Sequence, residues 1–190
     1  MSYSGIILAG GKSSRMGQDK ALMEFDGIPM IQHVADTLRD YTSEVIIASN
    51  FLIHHPYGDR GVQDDSPHLG PLAGIEAGLS TARNEASIVI SCDAPFVNAS
   101  VLERLIQEEQ EADDIYDVFV AVCDGRDYPL IAIYRESCLK TVRRRLEKRQ
   151  LRLGDLLVCL NLQFVMFPES ESKYFLNINT QEEWNQALGK

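Results

Sequence analysis

Gly5-Ile6-Ile7-Leu8-Ala9-Gly10-Gly11-Lys12-Ser13-Ser14-Arg15-Met16-Gly17 opens with an apolar run and continues as a glycine-rich turn. The run from Gly5 to Ala9 has no polar face, as expected of a strand buried on both sides within a parallel sheet. Gly10, Gly11 and Gly17 allow backbone N–H groups to come close to a ligand, and Lys12 and Arg15 supply charge for phosphate oxygens. The spacing is not that of a Walker A loop, because Gly11 follows Gly10 and Lys12 comes one place late. Nor is it Gly-x-Gly-x-x-Gly, since Lys12 stands two places after Gly10. On this string alone an ordinary strand-to-helix turn and a phosphate cradle both stay open.

Outward from that stretch, helix and strand patterns alternate. The fold class they imply is α/β, a three-layer α/β/α sandwich around a Rossmann-like, mostly parallel sheet. Pro29 opens a helix running to about residue 41, in which Ile31, Val34, Ala35 and Leu38 recur at i, i+3, i+4 and i+7. Strands are expected at 44–49, 87–91, 117–122, 130–134 and 163–167, and helices at 72–82, 99–111, 137–149 and 152–160. Asn98 is the expected cap of the helix at 99–111. Thr180 caps a terminal helix, with Glu183 completing a capping box. Residues 51–71 carry no period and are expected to be loop. Residues 1–190 contain no repeat and no linker, so one domain is expected.

Composition narrows the function classes. With 45% hydrophobic and 24% charged residues, the 190-residue chain can bury a core and is not a disordered one. No stretch approaches the ~18 apolar residues of a membrane helix, and Met1-Ser2-Tyr3-Ser4 lacks a basic leader region, so a cytoplasmic protein is expected. Cys92, Cys123, Cys138 and Cys159 form no Cys-x-x-Cys pair and are expected as reduced thiols in or near the core. The net charge is −10, yet residues 1–20 carry +2 and residues 140–152 carry +6. Such an acidic surface would repel a polynucleotide, whereas a small anion entering a basic pocket suits it. Neither nucleic acid nor membrane is expected as a partner.

The longer string Leu8-Ala9-Gly10-Gly11-x-Ser13-x-Arg15-Met16-Gly17-x-Asp19-Lys20 resembles the signature loop of nucleotidyltransferases of the nucleotide-diphospho-sugar transferase fold. In particular it resembles the molybdenum cofactor guanylyltransferase (MobA-like) family. Asp65-Ser66-x-x-x-Gly70-Pro71-Leu72-Ala73-Gly74, Cys92-Asp93-Ala94-Pro95-Phe96 and Asn177-Ile178-Asn179-Thr180 follow in that family's order. The resemblance spans the chain, and implies a nucleotide-binding half at about 1–97 and an acceptor-binding half at about 98–190. The implied reaction is transfer of GMP from GTP to the terminal phosphate of molybdopterin, with release of pyrophosphate. Both reactants are anions, so catalysis is expected to rest on positioning and charge neutralisation. The attacking phosphate is already largely deprotonated, and no histidine is nominated as a base.

Within that resemblance, Asp93 is the expected ligand of a magnesium cofactor, placed where a buried strand opens onto the ligand crevice; a turn-capping role is its structural alternative. Lys20 is the expected phosphate-neutralising cation, with Arg15 and Lys12 on the leaving β- and γ-phosphates. Asp65 is expected near ribose or metal, and Asp64 as a solvated loop charge. Backbone groups of Leu8, Ala9 and Gly10 are expected to read guanine, with Gly11 in the same cradle and Asn50 either beside the base or closing a strand. Tyr128-Pro129 replaces a family His-Pro, so Tyr128 either stacks on the pterin or packs. Asn177 and Asn179 are expected either to bind acceptor phosphate or metal-bound water or to brace a loop, and Gln181 stands where the family has proline.

Leu139, Val142 and Leu146 form the apolar stripe of the basic segment, with the arginines expected on the opposite face. That face is either solvated or receives a protein that delivers or accepts the cofactor. His54 and His55 with Asp59 and His68 match no familiar metal spacing. Rival readings are a nucleotidyltransferase using CTP or another phosphorylated acceptor, and a pterin carrier without catalysis.

Overall fold

Gly5 to Leu8 lie in an interior strand, third in order, of the seven-stranded sheet that the described residues form. The structure, a computed structural model, describes residues 2–10, 19–64, 69–178 and 183. Its strands are β1 (Tyr3–Leu8), β2 (Glu24–Phe25), β3 (Ile28–Pro29), β4 (Glu44–Ala48), β5 (Arg60–Val62), β6 (Ala86–Ser91), β7 (Val118–Cys123), β8 (Arg126–Arg135) and β9 (Leu162–Phe167). Its helices are α1 (Met30–Arg39), α2 (Pro71–Thr81), α3 (Ala99–Glu111), α4 (Leu139–Glu147) and α5 (Leu153–Leu157). The sheet order is β5-β4-β1-β6-β8-β7-β9. β8 runs against both of its neighbours, and every other pairing in the sheet is parallel.

The period-two geometry of β1 builds both layers of helices. Ile7 packs with Ile31, Val34 and Leu38 of α1 and Leu105 of α3, while Ile6 and Leu8 pack with Leu72 and Ile75 of α2 and Val142 of α4. Ile6 and Ile7 are both 0% exposed, and burying each contributes about 1.5–3 kcal/mol. This is the three-layer, mostly parallel sandwich the alternating patterns imply. α2 reaches β1 through Gly78, where an added Cβ would lie 2.6 Å from Cγ2 of Ile6. Any larger residue there would push the helix off the sheet.

Several local readings hold. α1 starts directly after Pro29, and the Asn98 side chain accepts from the Val101 N–H at the start of α3. Other elements differ from expectation. Residues 51–71 are not all loop: a 3-10 segment, Leu52–Tyr57, leads into β5, which adds an edge to β4. Three residues containing Gly61 are too few to display a period. Glu24–Phe25 and Ile28–Pro29 form a hairpin around Asp26 (φ 53°) and Gly27 (φ 76°), and Asp-Gly is its sequence signal. Asp124 (φ 51°) and Gly125 (φ 68°) make a second two-residue turn, so β8 begins at Arg126 rather than near Leu130. The short connection is what forces β8 antiparallel to β7. The helix expected at 152–160 is confined to Leu153–Leu157.

Candidate active site

The carboxyl ends of β1, β4 and β6 converge on one crevice, the usual place for a ligand in an open α/β sheet. A tight turn after β6, closed by Ala94 N–H donating to Ser91 O at 3.1 Å, carries Asp93. After β1, a three-residue 3-10 turn, Lys20–Leu22, carries Lys20. Its Nζ lies 3.5 Å from Oδ2 of Asp93, with side chains 17% and 21% exposed. The two residues expected to handle phosphate and metal are therefore neighbours across the crevice. The late segment closes over them, since Ile178 N–H donates to Asp93 O at 2.9 Å and Ile178 packs on Met30.

The floor of the crevice is tied together. Ala9 N–H donates to Ala48 O at 3.0 Å and Cys92 N–H to Leu8 O at 3.0 Å. The Ser49 hydroxyl lies 3.1 Å from Ala9 O. Each carbonyl retains a second lone pair for an incoming donor. Beside this floor His54, 1% exposed, is bonded at both ring nitrogens: Nδ1 to Ser49 Oγ at 2.7 Å and Nε2 to Asp19 Oδ2 at 2.7 Å. Asp19 also caps the Lys20 turn, its Oδ1 accepting from Ala21 N–H at 3.1 Å. This group leaves no signal in the sequence, because Asp19 and His54 lie far apart in the chain and share no motif.

His55 bonds Ser49 O through Nε2 at 2.9 Å, and the Asp59 carboxylate accepts from Val45 N–H at 2.7 Å. The two histidines both bond Ser49, through its hydroxyl and its carbonyl, and Asp59 bonds the backbone of Val45 instead. Asn50 is clasped by Asp64: its amide donates to Asp64 Oδ2 at 2.8 Å and accepts from Asp64 N–H at 3.1 Å. Asp64 is therefore no solvated loop charge; it fastens the chain after β5 to the end of β4.

The acceptor candidates gather at the same edge, on the antiparallel strand. The β7–β8 register slips between Val120, paired with Ala132, and Ala121, paired with Tyr128. Pro129, which has no N–H, lies in the resulting bulge. A cavity of about 150 Å³ there is lined by Tyr128, Pro129, Arg126, Ser91 and Asn177. The Tyr128 ring lies 4.9 Å from that of Phe175, and the Arg126 guanidinium sits 5.2 Å from its centroid. Tyr128, Pro129 and Asn177 are thus brought together, joined by Arg126 and Ser91, which no motif in the sequence marks.

Gly11, Lys12, Arg15, Asp65, His68, Asn179, Thr180 and Gln181 lie outside the described residues. All four cysteines are free. Cys92, Cys123 and Cys138 are buried, whereas Cys159 is exposed rather than in the core. Burial, with the neighbouring Asp93 charge, pushes the Cys92 thiol up to about 12, which leaves it no thiolate for nucleophilic chemistry near neutral pH. On α4 the arginines do not all face away from the stripe: Arg145 is buried, with Nη2 3.5 Å from Asp155 Oδ2. Arg143 turns onto α2, where it pairs with Glu76 at 2.7 Å.

Comparison with known proteins identifies the family and the fold. A family model described as the MobA-like NTP transferase domain matches residues 5–157. A protein of Carboxydothermus hydrogenoformans named "Probable molybdenum cofactor guanylyltransferase" is 35% identical over 192 residues, covering 96% of this chain and 93% of that protein. The crystal structure of molybdopterin-guanine dinucleotide biosynthesis protein A from Archaeoglobus fulgidus superposes with a TM-score of 0.80 at 24% identity, covering 97% of this chain and 96% of that one. CMP:2-keto-3-deoxy-manno-octonic acid synthetase, solved with CTP, has the same fold: TM-score 0.79 at 16% identity, with 100% and 98% of the chains covered. The mostly parallel sheet is that of the nucleotide-diphospho-sugar transferase type.

Proposed function

The chain belongs to the MobA-like NTP transferase family, and on that premise we propose that it transfers GMP from GTP to the terminal phosphate of molybdopterin. The observation that carries this reading is the 3.5 Å approach of Lys20 to Asp93 at the mouth of the sheet. An oxygen of the acceptor phosphate attacks the α-phosphorus, a new P–O bond forms, and the bond to the bridging oxygen of the β-phosphate breaks. Pyrophosphate leaves with that electron pair. The attacking group is a phosphate monoester, largely dianionic near neutral pH, so no side chain need remove a proton from it. The principal barrier is anion–anion repulsion. Lys20 lowers it as a compact point charge facing the triphosphate, with Arg15 and Lys12 as its expected helpers on the leaving phosphates.

Asp93 fits magnesium. It offers hard carboxylate oxygens at a partly open position, and magnesium takes one or two carboxylates while keeping water and phosphate oxygens for the rest. Among the described residues no group of three or more His, Cys, Asp or Glu could form an all-protein cage, so most of the shell would come from nucleotide and water. When bound, the ion supplies charge neutralisation on the phosphates. Backbone at Leu8, Ala9 and Gly10 would read the base, with Asn50 nearby and Asp65 toward ribose or metal. The bulge at Tyr128 and Pro129, with Asn177 and Asn179, would receive the acceptor. The four free thiols suit a reducing cytoplasm. A delivery or acceptor protein would meet the exposed cations Lys140, Arg144 and Lys148 of the basic segment.

The test is incubation with molybdopterin, magnesium and each of the four nucleoside triphosphates, following pyrophosphate release. GTP alone is expected to turn over. Turnover with CTP in its place would overturn the base assignment, and cofactor binding without pyrophosphate would make the protein a carrier.

A further inference from the structure

Lys20 stands on a 3-10 turn of three residues, too short to hold its own geometry. What holds it comes from outside the turn. Asp19, one peptide bond before Lys20, uses both carboxylate oxygens: Oδ1 accepts from Ala21 N–H at 3.1 Å, and Oδ2 meets His54 Nε2 at 2.7 Å. The other ring nitrogen of His54 meets Ser49 Oγ at 2.7 Å. Ser49 in turn accepts from Phe51 N–H at 3.1 Å and lies 3.1 Å from Ala9 O. An unbroken polar chain therefore runs from the end of β1, through the residue after β4, to the turn that carries the cation.

A histidine buried to 1% exposure is tolerable only with both nitrogens engaged. An apolar residue could fill the same space, but it could not grip an oxygen on each side. We propose that Ser49, His54 and Asp19 form a positioning strut that sets where Lys20 meets a bound triphosphate. The inference rests on Lys20 being the phosphate cation of the proposed function. His54 touches neither reactant; it acts through Asp19 and the turn.

The experiment is a double-mutant cycle with His54→Leu and Lys20→Ala, read on two signals: binding of inorganic triphosphate, and GMP transfer per folded molecule. A misplacement of about 1 Å at a reacting centre costs about 100-fold, and a loss of that order in kcat is expected for His54→Leu, with KM for GTP changed far less. The double variant is expected to be no worse than Lys20→Ala alone, because the strut has nothing left to position. His54→Gln, whose amide can bridge the same two oxygens, is expected to restore most of the rate. Asp19→Ala cuts the strut at a partly exposed position and keeps the test open should His54→Leu fail to fold.

Losses that add in the cycle, or a His54→Leu protein with wild-type kcat, would overturn the strut. Coupling in triphosphate binding without GMP transfer by the wild type would instead overturn the proposed function and leave the strut standing. A wild type that binds no triphosphate would remove both.

Discussion

The two ends of the sheet treat their charges in opposite ways. At the amino ends of the parallel strands, Glu109 is 1% exposed and accepts from Tyr3 Oη at 2.8 Å and from Arg135 Nη2 at 2.6 Å and Nε at 2.9 Å. Glu44, 5% exposed, accepts from Ser4 Oγ and Arg83 N–H, each at 2.8 Å, and from Arg60. At the carboxyl ends, Lys20 and Asp93 stand 3.5 Å apart and both are partly open. Saturated carboxylates leave little to offer a ligand and are costly to disturb. A partly exposed pair 3.5 Å apart lies within reach of one. The comparison sets residues that hold the fold against the pair proposed to act.

The largest break in that pattern is expected from Glu109→Ala. Removing one partner of a buried pair strands the other, and about 3–5 kcal/mol of stability is the usual cost. Urea unfolding is the measurement. GMP transfer per folded molecule should stay at the wild-type level, and a specific loss of turnover would show that the two ends are not separate.

Asp93→Asn should do the reverse. Its side chain is one-fifth open and keeps its shape as an amide, so the unfolding midpoint should hardly move. Turnover should fall about 10²–10³-fold, the range seen when one preorganised electrostatic group is removed from a charged transition state. Steady-state kinetics with GTP decides it. Retained turnover would take Asp93 out of the reaction.

Much of the fold was legible in the sequence because its signals are local. The Gly5–Ala9 run, the α1 spacing and the Asn98 cap each show within a dozen residues. The resemblance also placed Lys20 and Asp93 in one site, and the structure brings them together. What stayed hidden was non-local or too short. β5 has three residues, and the strand direction of β8 hangs on a two-residue turn. The His54–Asp19 contact depends on how the segment after β4 folds back. Arg145 sits three residues after Val142, at the flank of the stripe, so counting faces put it outside although its guanidinium reaches inward to Asp155.

A pH titration sharpens the comparison at its stable end. Burial alone would raise the Glu44 carboxyl, but bonds from Arg83 N–H, Ser4 and Arg60 outweigh it and hold the group below the ordinary value of 4.5. A carboxylate whose folded value lies below its unfolded one adds stability when ionised in both states. That contribution is complete above about 4.5 and is lost as pH falls through the lower, folded value. Glu44→Gln should therefore unfold more easily than wild type at pH 7, with the gap closing in acid. A gap that persisted unchanged below the folded value would mean that the Gln variant suffers from packing rather than lost charge.

The smallest effect is expected away from both ends. Lys140, Arg144 and Lys148 on and beside α4 are exposed, and exposed ions seldom contribute measurably to stability. Arg144→Ala with Lys148→Ala should leave both the unfolding midpoint and turnover on free GTP and molybdopterin at wild-type levels. Arg145 must be spared, because it is buried beside Asp155 and its loss would mimic a docking defect through the fold. With a protein that supplies or takes the cofactor, the pair should slow transfer, and more so at low salt, where opposite charges steer encounter over a longer range. Equal rates with and without the two cations, in the presence of such a partner, would leave α4 a solvated surface.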